Sequence, residues 1–214
     1  MAARAALAYE TGMSIRLQTV TGPALLPLLP VLARLRISVF REFPYLYEGD
    51  QVEEETHLRA FAASASAGLI VAWDGEVAVG CATCMRLTEA SAGVIAPFRA
   101  AGIDPERVFY FGESVLLPGY RGQGIGVGFS AAREAHARAV SDCDYTAFCA
   151  VIRAPDHPRR PAGAVGLEGF WRNRGYTPYP NLVCVMHWTE IGGAAEVENR
   201  LSFWLKSVSG RALP

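Results

Sequence analysis

Three glycines and a cation are concentrated at Arg121, Gly122, Gln123, Gly124, Ile125 and Gly126, between an apolar run over 108–117 and an Ala-rich amphipathic stretch over 127–140. A strand that ends, a glycine loop and a helix that begins leave free backbone N–H groups pointing one way, which suits a phosphate ester. Glycine removes the Cβ atoms that would hold a pyrophosphate off the backbone, and the helix dipole and Arg121 add positive charge. Two common phosphate loops do not fit. The dinucleotide pattern G-x-G-x-x-G, started at Gly122, needs a glycine where Val127 stands, and no lysine lies between Val108 and Val140 to complete a P-loop.

The elements that must hold this loop are legible as periodicity. Alternation over 14–20 predicts a first strand, and Gly22 and Pro23 open a Leu-rich helix to about residue 40. A second helix is expected over 50–63, then strands over 68–73 and 76–87 joined by a turn at Asp74 and Gly75. A helical or looped excursion over 90–105 leads to the strand over 108–117, the helix after the glycine loop and a strand over 145–152. A Pro-rich loop over 154–162, a helix over 166–174 stopped by Gly175, and strands over 182–189 and 201–208 complete the chain. The order is β-α-α-β-β-β-α-β-α-β-β.

Composition narrows the function classes. At 214 residues, 51% hydrophobic and 19% charged, the chain reads as a compact globular domain with an ample core. A formal net charge of −1 gives no general attraction for nucleic acid, and the basic cluster Arg153, Arg159 and Arg160 is broken by Asp156 and His157. The apolar segment over 24–35 carries Pro27 and Pro30 and reads as a buried helix rather than a membrane span. Five irregularly spaced cysteines suggest reduced thiols and a cytoplasmic setting. Cys81 and Cys84, three apart in a strand, should face opposite ways, which argues for packing rather than a metal pair.

Arg121, Gly124 and Gly126 occupy the set positions of R/Q-x-x-G-x-G/A, preceded by Leu117, Pro118, Gly119 and Tyr120. The run from Glu113 to Gly126 resembles the coenzyme A motif of the GNAT superfamily of N-acetyltransferases, and Phe170 to Tyr176 resembles the family's F-Y-x-x-x-G-F-like helix end. The resemblance covers about 14–208. It implies an α/β (α+β) fold: a mixed, mostly antiparallel seven-stranded sheet with helices on both faces and splayed central strands. On that reading 14–208 is a single N-acetyltransferase domain, 1–13 a loose leader and 209–214 a C-terminal tail. The implied reaction is transfer of an acetyl group from acetyl-CoA, without a metal, to a primary amine of a small molecule or peptide by direct attack on the thioester. A homodimer is also plausible from the resemblance. A non-catalytic acyl-CoA sensor is the alternative.

The resemblance also implies roles by position. Ser114, Val115 and Leu116 would offer backbone groups to the pantetheine arm, while Arg121, Gly122, Gln123, Gly124, Ile125, Gly126 and Val127 would hold the pyrophosphate. An alkylammonium of pKa about 10.4 is neutral only about once in two thousand molecules at pH 7, so a general base is expected. Glu113, in an otherwise apolar strand, is the candidate, with burial expected to raise its pKa and a strand bulge able to change its face. The tyrosine that many relatives use to protonate the leaving thiolate is replaced by Trp171, leaving Tyr176 as the candidate acid. The segment from Phe43 to Asp50 should wall an acceptor site with Tyr45, Tyr47 and Glu48, suited to a cationic amine. Glu53, Glu54 and Glu55 read as an exposed helix face, with Glu55 at ion-pair spacing from Arg59.

Overall fold

The structure, a computed structural model, describes residues 15–214; the leader over 1–13 and Ser14 lie outside the described residues. Seven strands form one sheet: β1 Arg16–Thr21, β2 Gly68–Asp74, β3 Val77–Arg86, β4 Val108–Leu116, β5 Tyr145–Val151, β6 Thr177–Thr189 and β7 Glu196–Ser207. Their spatial order is β1-β2-β3-β4-β5-β7-β6, and every neighbouring pair is antiparallel except β4 and β5. Among the described residues five α-helices accompany them: α1 Leu29–Phe40, α2 Gln51–Ala62, α3 Ala92–Ala100, α4 Ile125–Val140 and α5 Glu168–Arg172. This is the mixed, mostly antiparallel sheet that the resemblance implies.

Both faces of the sheet are covered, which is why β2 and β4 read as continuous apolar runs rather than alternating ones. On one face Leu29, Leu32 and Leu35 of α1 pack with Leu69, Val71 and Val115, and α3 packs with Val108, Tyr110 and the inner residues of β7. On the other, Ile125, Phe129 and Ala137 of α4 meet Ile70, Phe109 and Phe111. Cys81 belongs to the α1 side and Cys84 to the α4 side, as their spacing predicts. Gly22–Phe40 is long and apolar enough by composition to cross a membrane, yet here it begins as a 3-10 turn over Gly22–Leu28 and buries Leu25, Leu29 and Leu32 against the sheet.

Two features of β4 decide the site. It pairs with β5 only through Val108, Phe109 and Tyr110, against Tyr145, Thr146 and Ala147, after which the two strands separate. It also bulges against β3: Cys84 opposes Phe111 and Ala82 opposes Ser114, so Gly112 and Glu113 share one place opposite Thr83. The extra residue reverses the alternation. Phe109 and Phe111 face α4, but Val115 beyond the bulge faces α1, and so does Glu113. Gly112 permits the close approach, since a Cβ there would lie 2.4 Å from Thr83 Oγ1.

The last two strands start at Thr177 and Glu196, five residues earlier than the periodicity suggests. Pro178 and Pro180 hide the start of β6 in the sequence, and an edge strand tolerates them. The C-terminal tail lies along the sheet: the Tyr145 hydroxyl donates to the Ala212 carbonyl at 2.8 Å and Leu213 packs into the core.

Candidate active site

The glycine loop is built as its composition requires. Gly122 and Gly124 have φ of 77° and 83°, left-handed values that disfavour any side chain, and Gly124 is the residue before the first turn of α4. The first bonds of the helix run from the amides of Val127 and Gly128 to the Gly124 carbonyl, which leaves the amides of 122–126 without a backbone carbonyl partner. A Cβ built at Gly122 or Gly124 would meet nothing within 4 Å, so the loop's outer surface is open. Arg121 is less free than its position suggests: its guanidinium pairs with Glu42 at 2.8 Å and with the Leu116 carbonyl at 3.1 Å. A phosphate in the loop has to compete with Glu42 for it.

The open edge of β4 runs into this loop. Over 114–116 one edge of the strand pairs with β3, through Ala82, Cys81 and Gly80, and the other faces the gap left by β5. Over Ser114, Val115 and Leu116 alternate backbone groups thus face the gap, where they could bond an extended arm, the Leu116 carbonyl already accepting from Arg121. Ser114 is exposed there, whereas the Val115 side chain is fully buried on the α1 side. Free amides, an open cradle and an unpaired strand edge fit a phosphorylated pantetheine arm.

Glu113 sits at the bulge with a partner that the sequence reading missed. Arg36 of α1 donates to Glu113 at 2.8 Å and to Glu54 of α2 at 2.5 Å, forming a largely buried cluster of two carboxylates around one guanidinium. The expected rise in the Glu113 pKa does not occur: burial pushes it up most strongly, but the Arg36 charge and hydrogen bond, a backbone hydrogen bond and His57 together leave it lowered. Burial likewise works against the Arg36 charge, and Glu113 and Glu54 overcome it and raise the pKa. That shift makes Glu113 a weaker base than an ordinary carboxylate. Glu54 was legible in retrospect, because it lies four before the buried Leu58 on the inner face of α2. Arg36, three after Ala33 and four after Leu32, also falls on the buried stripe of α1. The expected Glu55–Arg59 pair does not form, since Glu55 bonds Gln51 at 2.7 Å instead.

The aromatic loop after α1 is sewn to the β6–β7 hairpin. Arg153 donates to the carbonyls of Pro44 and Tyr45 at 2.7 and 3.1 Å and pairs with Glu190 at 2.8 Å. The Glu48 amide bonds the Thr189 carbonyl and the Ile191 amide bonds Leu46. Tyr45 packs on Phe40 and Trp188 with ring centroids 4.3 and 5.9 Å apart, and burial drives its hydroxyl pKa up. Burial and the Glu54 carboxylate do the same to Tyr47. Glu48 departs from its expected role. It pairs with Arg41 at the surface, and the carboxylate that bonds Tyr47 is Glu54 of the Arg36 cluster instead.

Tyr176 also departs from expectation as an acid. It is 5% exposed, its hydroxyl bonds Thr146 Oγ1 at 3.0 Å, and burial pushes its pKa to about 12. Trp171 fills the place of the missing tyrosine by packing on Phe148 and Trp204, with centroids 5.1 and 5.0 Å away. Tyr176→Phe should cost about 1–2 kcal/mol of stability, read from the urea midpoint, and leave turnover at the parent rate. Among the described residues no group of three His, Cys, Asp or Glu side chains could hold a metal.

Comparison with known proteins agrees with this geometry. The profile of the Acetyltransferase (GNAT) family matches residues 33–176. No curated protein matches the chain in sequence. Among solved structures, a ribosomal-protein-alanine N-acetyltransferase from Brucella melitensis is similar with a TM-score of 0.58 at 14% identity, over 90% of this chain and 99% of that one. NAA60 of Arabidopsis thaliana, in complex with a bisubstrate analogue, gives 0.56 at 10% identity over 91% and 99%. An acetyltransferase from Salmonella typhimurium, solved with its cofactor acetyl-CoA, gives 0.55 at 12% identity over 94% and 97%. These likenesses establish a shared fold, and the profile match over most of the domain establishes kinship: the chain belongs to the GNAT family of acetyltransferases.

Proposed function

We propose that the protein transfers an acetyl group from acetyl-CoA to a primary amine of a small molecule or peptide, by direct attack of the amine on the thioester. The observation that carries this reading is the continuity between the unpaired edge of β4 and the free amides of 122–126, one track for a pantetheine arm and its pyrophosphate. The coenzyme supplies an activated acetyl group. The chain's own groups orient it: backbone at 114–116 bonds the arm, and the helix end with Arg121 neutralises the phosphates.

The acceptor approaches from the opposite face, past Tyr45 and Tyr47. Two carboxylates share one guanidinium, so the Arg36 cluster carries a net negative charge that draws a cationic amine toward Glu113. Arg36 helps to make Glu113 a weaker base than an ordinary carboxylate, so its part is to seat the ammonium while the proton passes to water. Five free cysteines support a reducing, cytoplasmic setting.

The test is release of coenzyme A from acetyl-CoA across a panel of amines, with acetyl-CoA affinity measured in parallel. Turnover with some amines is expected. Glu113→Gln should lower kcat/KM for a cationic amine roughly 10- to 100-fold, the worth of one charge-assisted hydrogen bond, and leave acetyl-CoA affinity unchanged. Tight binding without turnover across the panel would favour the sensor reading, to which Trp171 in place of the usual tyrosine lends some support.

A further inference from the structure

A thiol and hydroxyl cluster stands where β4 and β5 part, and the transfer reading leaves it unused. Tyr110 and Ala147 are the last pair between the strands, and Cys149 is the next residue of β5 on the face of Ala147. Its Sγ lies 3.4 Å from the Tyr110 hydroxyl. Cys184 of β6 stands beside it, and all three belong to the same packed cluster as Tyr45. Cys81, Cys84 and Cys184 are buried, whereas Cys149, two residues past the last β4–β5 pair, is half-buried.

We propose that Cys149 is a nucleophile that accepts the acetyl group when no amine occupies the site. The proposal rests on the fork being the place of the pantetheine arm. Cys149 Sγ bonds to the acetyl carbonyl carbon, the bond from that carbon to the coenzyme sulfur breaks, and coenzyme A leaves as the thiol with the proton that Cys149 gives up. One thioester replaces another, so no oxidant or energy source is needed and the acetyl group stays transferable to an amine. The Tyr110 hydroxyl, across the fork, is within hydrogen-bond reach of Sγ, but burial and Cys149 hold its own pKa well above the ordinary range, so the proton leaves with the coenzyme sulfur.

The local chemistry suits a nucleophile. The Cys184 side chain, opposed by burial and aided by Tyr110, holds the Cys149 thiol below the ordinary range, while Cys184 itself is pushed up. Cys143, also partly exposed, is raised by burial and serves as an internal reference. A thiol lowered in this way keeps more thiolate at neutral pH than one that is raised.

The experiment is to incubate the full chain with acetyl-CoA and no amine, digest at acid pH and map acetyl groups by mass spectrometry, with binding measured by calorimetry on the same sample. The expected result is hydroxylamine-labile acetylation at Cys149, at least about tenfold above Cys143, and none in Cys149→Ala that still binds acetyl-CoA. In the protein alone, iodoacetamide should alkylate Cys149 faster than Cys143 at pH 7, and coenzyme A should protect it. Binding with no acetyl on Cys149, or with equal acetylation of Cys143, overturns the proposal and leaves the transferase reading standing. Failure to bind acetyl-CoA brings down that reading first and this one with it.

Discussion

Gly124→Val should lower acetyl-CoA affinity by roughly 150- to 25,000-fold while the chain still folds. The valine would project into the open surface of the loop, where nothing lies within 4 Å, and keep a phosphate from at least two of the free amides. A hydrogen bond to a charged group contributes about 1.5–3 kcal/mol, so losing two costs about 3–6 kcal/mol of binding. The substitution also strains the backbone, because φ at Gly124 is 83°. Gly75 in the β2–β3 turn is the matched control, with φ of 56° and equally open space. Gly75→Val should lose comparable stability and bind acetyl-CoA as the parent does. Calorimetry decides the matter, with circular dichroism as the check on folding; equal affinity in Gly124→Val and parent would remove the phosphates from this loop.

Arg36→Met should destabilise the protein by about 3–5 kcal/mol at pH 7, or roughly 6–20 °C in Tm, because it leaves Glu54 and Glu113 buried together without a cation. The pH dependence has a definite sign. Glu113 in the parent titrates below its unfolded value, so its contribution to stability is fully present above the ordinary carboxylate range and is lost as pH falls through the lower folded value. In R36M that contribution is gone, and protonation relieves the repulsion between the two carboxylates. The gap between variant and parent should therefore narrow as pH falls below about 4. Changing Arg36, Glu54 and Glu113 together to Met, Leu and Leu should recover most of the loss, since apolar side chains of similar volume can replace a buried ion cluster at little net cost. Thermal melts of both variants between acid and neutral pH test this. A single substitution within about 1 kcal/mol of the parent at pH 7 would mean that water reaches the cluster and screens it.

Local structure was readable because it is governed by local physics. The strand-loop-helix around Gly122, Gly124 and Gly126 follows from the glycines' left-handed backbone and the amphipathic pattern beyond them. The element order follows from periodicity, and the opposite facing of Cys81 and Cys84 from the two-residue repeat of a strand. Where local signals conflicted the boundaries shifted, as at the two prolines in the edge strand β6. The sequence by itself thus determined the glycine loop before α4, the seven strands and the family. The tertiary structure alone decided what Glu113 does. One extra residue at Gly112 turns it to the α1 face, where Arg36, 77 positions earlier, pairs with it and lowers a pKa that burial alone would raise. It also decided that Glu48 pairs outward with Arg41, that Tyr176 is locked to Thr146, and that Cys149 meets Tyr110 at the fork. A side chain's charge and reactivity depend on what packs around it, and those neighbours come from elements far apart in the chain.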